Sequence, residues 1–95
     1  INLQFPLENE DSRLDAYEIV YGVEINGKFK AYKKSDVEQK SKIEDTIGGK
    51  KIIIEFDKNL KSAKAFKESG EQIVSETLFW FAWAAFHPET ELYKA

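Results

Sequence analysis

The run from Leu78 to Phe86 constrains this chain more than any other feature: nine residues, all apolar and five of them aromatic. As a helix turning by about 100° per residue, it sets Phe79, Trp83 and Phe86 on one face, with Trp80 and Ala84 beside them. Leu78, Phe81, Ala82 and Ala85 cover the rest. A helix that is apolar all round is a buried one. Nine residues fall well short of the roughly 20 that cross a bilayer, so no transmembrane segment is expected. A sheet covers one side of such a helix; the other side must meet a second layer, a partner subunit or a ligand. The indole N–H groups of Trp80 and Trp83 need acceptors if they are buried. Ser75 or Thr77 can cap a helix from about Glu76 to Phe86, and His87-Pro88 ends it, because the residue before proline avoids the helical region.

The sheet is legible upstream. Tyr17 to Ile25 is β-branched and aromatic, with Ile19, Tyr21, Val23 and Ile25 pointing one way and Glu18 and Glu24 the other. Asn26-Gly27 then predicts a tight hairpin, because both central residues of a type I′ turn need positive φ. Lys28 to Lys33 returns, with Phe29 and Ala31 alternating with lysines. Ser35 to Glu38 fits a capping box for a short helix or turn. Ile43 and Ile47 anchor a polar connection, and Gly48-Gly49 marks a turn. Ile52, Ile53 and Ile54 read as a central strand buried on both faces. Leu60 to Lys67 reads as another strand, although a helix fits it almost as well, and Gln72 to Val74 completes a meander. Thr90, Leu92 and Tyr93 form an extended tail. Residues Ile1 to Arg13, interrupted by Pro6, read as a frayed arm or as a strand added to a sheet edge.

Composition removes several function classes. The chain has 95 residues, one domain's worth, and its 14% aromatic content argues for a packed core rather than disorder. A net charge of −3 with interleaved signs gives no basic face, so no nucleic-acid partner is expected. Without cysteine there is no disulfide, thiolate nucleophile or cysteine-ligated metal. The chain begins at Ile1 and contains no methionine, which is expected of a removed leader or a trimmed boundary.

Catalytic chemistry finds little support. His87 is the one histidine; at a helix C-terminus it caps or packs, and without a second imidazole it is a poor metal ligand. The serines have no other base to activate them, and no Gly-x-Ser-x-Gly elbow occurs. Glu44-Asp45 and the acids from Glu8 to Asp11 sit in polar stretches, not in the apolar pocket that a general acid needs. Gly48-Gly49 lacks the lysine and hydroxyl that end a phosphate loop. No catalytic residue, cofactor site or metal site is assigned.

Two stretches taken together resemble a known family. Val20 to Tyr32, Val-Tyr-Gly-Val-Glu-Ile-Asn-Gly-Lys-Phe-Lys-Ala-Tyr, is similar to a V-x-G-V-E-I-N-G-x-x-x-A-Y pattern. Glu44 to Ile54 is similar to N-D-T-I-G-G-x-P-V-V-V. Both patterns, in this order, belong to the prokaryotic domain-of-unknown-function family numbered 3179. The segment from Phe79 to Tyr93, with tryptophans followed by His87-Pro88 and Thr90, resembles that family's ending. Typical members place a Cys-Pro-x-Cys motif after the buried strand; Glu55 to Leu60 stands there in this chain and holds no cysteine. The resemblance therefore implies a shortened member without redox or metal chemistry at that place. Family members are often exported, which implies an extracytoplasmic location.

The expectation is an α+β fold within residues 1–95 as a single domain: an antiparallel sheet of four to five strands with one C-terminal aromatic-rich helix packed on a face. The expected function is a non-catalytic binding or assembly module. Its interaction surface is Phe79, Trp80, Trp83, Phe86 and His87, meeting a second copy or a protein partner. The alternative is a ligand carrier or enzyme with a pocket between helix and sheet, using His87, Glu55, Asp57, Tyr21 and Tyr32. It requires at least two of these groups to converge. A third class is a structural domain excised from a longer chain.

Overall fold

The computed structural model describes residues 11–95. Strand β1 (Ile19–Ile25) turns at Asn26 and Gly27, both with positive φ of 49° and 79°, into β2 (Lys28–Lys33). The expected hairpin is formed, with Ile25 opposite Lys28 and Val20 opposite Lys33. Helix α1 (Lys34–Lys40) follows directly. Its first residue lies one position before Ser35, so Ser35 is inside the helix and the capping box is not made; Lys33 precedes the helix without a side-chain cap.

A second antiparallel meander comes next: β3 (Lys42–Ile47), β4 (Lys50–Asp57), β5 (Ser62–Lys67) and β6 (Gln72–Ile73). The polar connection anchored by Ile43 and Ile47 is thus itself a strand. Its two isoleucines are four residues apart and share the buried face, while Lys42, Glu44 and Thr46 are exposed. Strand β4 is interior to its sheet, with Ile52 and Ile54 buried and Ile53 partly covered on the opposite face. The chain then leaves this sheet at Val74. It enters β7 (Ser75–Phe79), continues into helix α2 (Trp80–Phe86), and closes with β8 (Glu91–Leu92).

The fold is α+β with predominantly antiparallel sheets and a C-terminal aromatic helix, as expected, and the described strands fall into two sheets of four. One has the order β7-β1-β2-β8 and the other β3-β4-β5-β6. The helix is shorter than the sequence suggests. Ser75 to Phe79 pairs antiparallel with β1, from Val23 opposite Ser75 to Ile19 opposite Phe79, and that pairing captures the residues expected to form the first helical turn. In place of a side-chain cap, the helix start is tied to the preceding loop. The Trp80 backbone N–H donates to the Glu18 carbonyl at 2.7 Å, and the Phe81 N–H donates to the Ala16 carbonyl at 3.0 Å.

Two cores follow from this layering. Between the sheets, Tyr21, Val23, Ile25 and Tyr32 meet Ile43, Ile47, Ile52, Ile54, Ala65 and Ile73, with Val37 of α1 among them. On the other face of the first sheet, Val20 and Ala31 meet Trp80, Trp83 and Ala84. Strand β1 serves both cores, so the first sheet is the middle of three layers. This answers how so apolar a helix is covered. The sheet buries Trp80, Trp83 and Ala84; Phe81 and Ala82 are half-covered, and Ala85 and Phe86 face outward.

Gly22 permits this packing. A Cβ at residue 22 would stand 2.3–2.6 Å from three atoms of the six-membered ring of Trp83. The residue across the strand pair is Ala31, also small and fully buried. The two make a flat seat for the indole, consistent with glycine marking a close approach within a strand. Gly22→Ala is expected to destabilise the domain by about 1–3 kcal/mol through overpacking. In a double-mutant cycle with Trp83→Leu, chemical denaturation should show a smaller cost for Gly22→Ala once the indole is gone. Strict additivity would contradict the seat.

Candidate functional site at the end of the aromatic helix

Both indoles find acceptors. Trp80, fully buried, donates its ring N–H to the Asp11 carbonyl at 2.8 Å. The Arg13 guanidinium sits 5.2 Å from the centre of that ring, and its Nη2 pairs with the Asp11 carboxylate at 2.7 Å. Trp83, 2% exposed, donates to the Thr90 hydroxyl oxygen at 2.8 Å, and the Thr90 hydroxyl donates to the Glu91 carbonyl at 3.0 Å. Thr90 is the buried polar residue among those described.

His87 ends the helix with its backbone N–H on the Trp83 carbonyl at 2.9 Å, and its own carbonyl accepts the Thr90 N–H at 2.9 Å. These bonds turn the chain back so that β8 can pair, in parallel, with β2. The imidazole stacks on Phe29 with ring centres 3.9 Å apart and planes 16° apart, and its centre is 4.3 Å from that of Trp83. His87, Pro88 and Thr90 therefore form one structural clasp around Trp83. Beside it opens a groove of about 630 Å³, lined by Lys28, Phe29, Phe86, His87, Glu89 and Glu91 among others. Phe86 stands at this groove with 75% of its surface exposed.

The five expected surface residues thus separate. Trp80 and Trp83 are interior, because the first sheet and the tail cover them, and they support a surface without forming it. Phe86 and His87 line the groove. Phe79 lies at the opposite end of α2, 44% exposed, in edge contact with Tyr17 at 5.6 Å and stacked with Phe81 at 5.9 Å. Sequence reading missed Phe29, which is a strand position with no local signal of its own. It also missed Thr90 and Gly22, whose signals were the residue two past His87-Pro88 and a glycine inside a β-branched run.

Of the five groups named for the alternative, Tyr21 comes together with Tyr32 and Glu55 with Asp57, but neither pair lies with His87. Tyr21 and Tyr32 are cross-strand neighbours in the core between the sheets. Glu55 and Asp57 line a separate shallow groove of about 420 Å³ on the second sheet. The Asp57 carboxylate there accepts the backbone N–H groups of Asn59 and Leu60 at 2.8 and 3.1 Å and so shapes a turn. Among the described residues, no group of three or more histidine and acidic side chains gathers as a metal site requires, and no helix is long and apolar enough to cross a membrane.

One ionisable cluster joins the two sheets. Asp45 of β3 accepts the Tyr32 hydroxyl at 2.7 Å and pairs with the Lys30 ammonium at 2.9 Å; Glu91 lies 3.8 Å from the same ammonium. Burial by itself would raise the Asp45 carboxyl, but bonds from Lys30, Tyr32 and the Thr46 backbone outweigh it and hold the pKa below the ordinary 3.8. Burial, reinforced by the Asp45 carboxylate, pushes the Tyr32 hydroxyl far above its ordinary value, so it stays a donor. The Tyr21 hydroxyl is also raised by burial, with Glu38 adding to the effect.

The family described as "Protein of unknown function (DUF3179)" matches residues 2–72, more than half of the chain, and the chain belongs to it. The matched span ends before β7 and α2. No curated protein and no solved structure matches the chain.

Two outcomes test this geometry. Thr90→Val leaves the buried Trp83 N–H without its acceptor and is expected to cost about 1–3 kcal/mol, whereas Thr90→Ser retains most of the stability. Because Asp45 titrates lower in the folded state, its contribution is present above the ordinary 3.8 and is lost as pH falls below it. Acid unfolding followed by circular dichroism should therefore be less steep for Asp45→Asn than for the parent, although the variant is less stable at neutral pH.

Proposed function

We propose that this DUF3179 member is a non-catalytic binding module that holds a protein segment in the groove at the C-terminal end of α2. The single observation that carries the reading is Phe86, a large aromatic side chain 75% exposed beside a preformed groove of about 630 Å³. Its size falls within the range of sites that accept small ligands and side-chain anchors. The His87 ring stacked on Phe29 gives the groove a rigid aromatic wall, and aromatic residues dominate the energetic centre of protein interfaces. Lys28, Glu89 and Glu91 supply the polar rim that such centres carry.

The groups able to do acid–base chemistry favour this reading over an enzyme. Asp45, Lys30 and Tyr32 are engaged with one another between the sheets, and Asp57 organises a turn. The His87 ring is packed by its face against Phe29 at the helix end. Their arrangement accounts for folding before any of them faces a substrate.

Selection of displayed random peptides on the immobilised domain tests the proposal. Recovered peptides should carry an aliphatic or aromatic anchor and should lose at least tenfold in affinity on Phe86→Ser, about 1.4 kcal/mol or more. The same substitution should leave the thermal midpoint within a few degrees, because the side chain is already in water. No recovered peptide, or peptides that bind Phe86→Ser equally well, would contradict the groove as the contact surface.

A further inference from the structure

Among the described residues the two sheets have four lateral edges, and three are guarded. β6 and β8 are two residues long, too short to template another strand. β3 carries Lys42, Glu44 and Asp45 along its six residues. The fourth, β7, runs for five residues with Glu76 as its one charge, and among the described residues no strand pairs with its outer side. Natural sheets blunt such edges with lysine, proline or bulges, and β7 has no lysine or proline.

Apolar exposure concentrates at the same edge. Of the six large hydrophobic side chains exposed among the described residues, Tyr17, Ile19, Val74 and Phe79 lie on β7 or beside it. Ile19 is the cross-strand partner of Phe79, Tyr17 touches the Phe79 ring at 5.6 Å, and Val74 immediately precedes the strand.

We infer that β7 is a self-association edge, pairing antiparallel with β7 of a second copy across a twofold axis at Thr77, so that two first sheets become one continuous eight-stranded sheet. The partner is a second copy because the strand complements itself. The register that pairs all five residues sets Thr77 against Thr77, Glu76 against Leu78 and Ser75 against Phe79, and opposes no like charges. Twofold pairing of one patch with itself is the commonest route to a dimer. A five-residue edge makes a small interface, so the dimer is weak and concentration-dependent. This edge is distinct from the groove at Phe86 and does not rest on the reading of that groove.

Thr77 is exposed, so charged substitutions there leave the monomer folded, which circular dichroism checks. Light scattering behind size exclusion should show the parent rising with concentration from 11.0 kDa toward twice that mass. Thr77→Lys and Thr77→Glu each place like charges on the axis and should weaken the dimer by about tenfold or more. Mixing the two variants should restore it, and Thr77→Val and Phe86→Ser should dimerise as the parent does. A parent that stays at monomer mass overturns the inference. So does a Thr77→Lys variant that dimerises normally, a mixture that fails to recover, or a dimer lost in Phe86→Ser and kept in Thr77→Lys.

Discussion

The six-membered ring of Trp83 occupies the space that any side chain at residue 22 would need, and much of the first layer follows from that contact. Because the indole lies so close to β1, the helix that carries it must start at the end of β7 and run across the small residues Gly22 and Ala31. Because its N–H points toward Thr90, the chain after His87 must turn back, which delivers Leu92 beside Ala31 and Tyr93 against Tyr32, ring centres 5.3 Å apart. The same turn brings the His87 ring onto Phe29 and so builds one wall of the groove. A single packed indole thus connects a glycine early in the chain to the tail at its end.

A second constraint acts between the sheets. The core there is mostly isoleucine, valine and tyrosine, which bury well but leave lateral position loosely defined. The bonds from Tyr32 and Lys30 to Asp45 are directional and partly shielded from water, so they fix how β2 lies against β3. Removing Asp45 would leave the Tyr32 hydroxyl without its acceptor and the Lys30 ammonium without its short contact at a partly buried position, which is costly. This interaction is better understood as setting register than as adding net stability.

Much of this was legible in the residues, and the gaps have physical causes. Asn26-Gly27 specified a local backbone geometry, so the hairpin and its register followed from sequence. The isoleucine run at 52–54 announced a central strand because burial needs no partner to be recognised. The helix starts later than the sequence suggests because Ser75 and Thr77 can cap a helix, whereas pairing with β1 holds Ser75 to Phe79 as a strand. β3 looks like a connection in sequence because its apolar positions are four apart, with Asp45 on the intervening inward position, where it serves Tyr32 and Lys30. The site was half legible: an aromatic cluster stands out in sequence, but which rings face the core depends on Gly22 and Thr90. Burial took Trp80 and Trp83 from the expected surface and left Phe86 and His87.

The most direct test of the Trp83 clasp is hydrogen exchange of the two indole N–H groups, followed by NMR at neutral pH. The clasp predicts that the Trp83 N–H, held by Thr90 beneath the tail, exchanges only through opening that approaches global unfolding. A Trp83 N–H that exchanges as fast as a free indole, while the strands β1 and β2 stay protected, would contradict it.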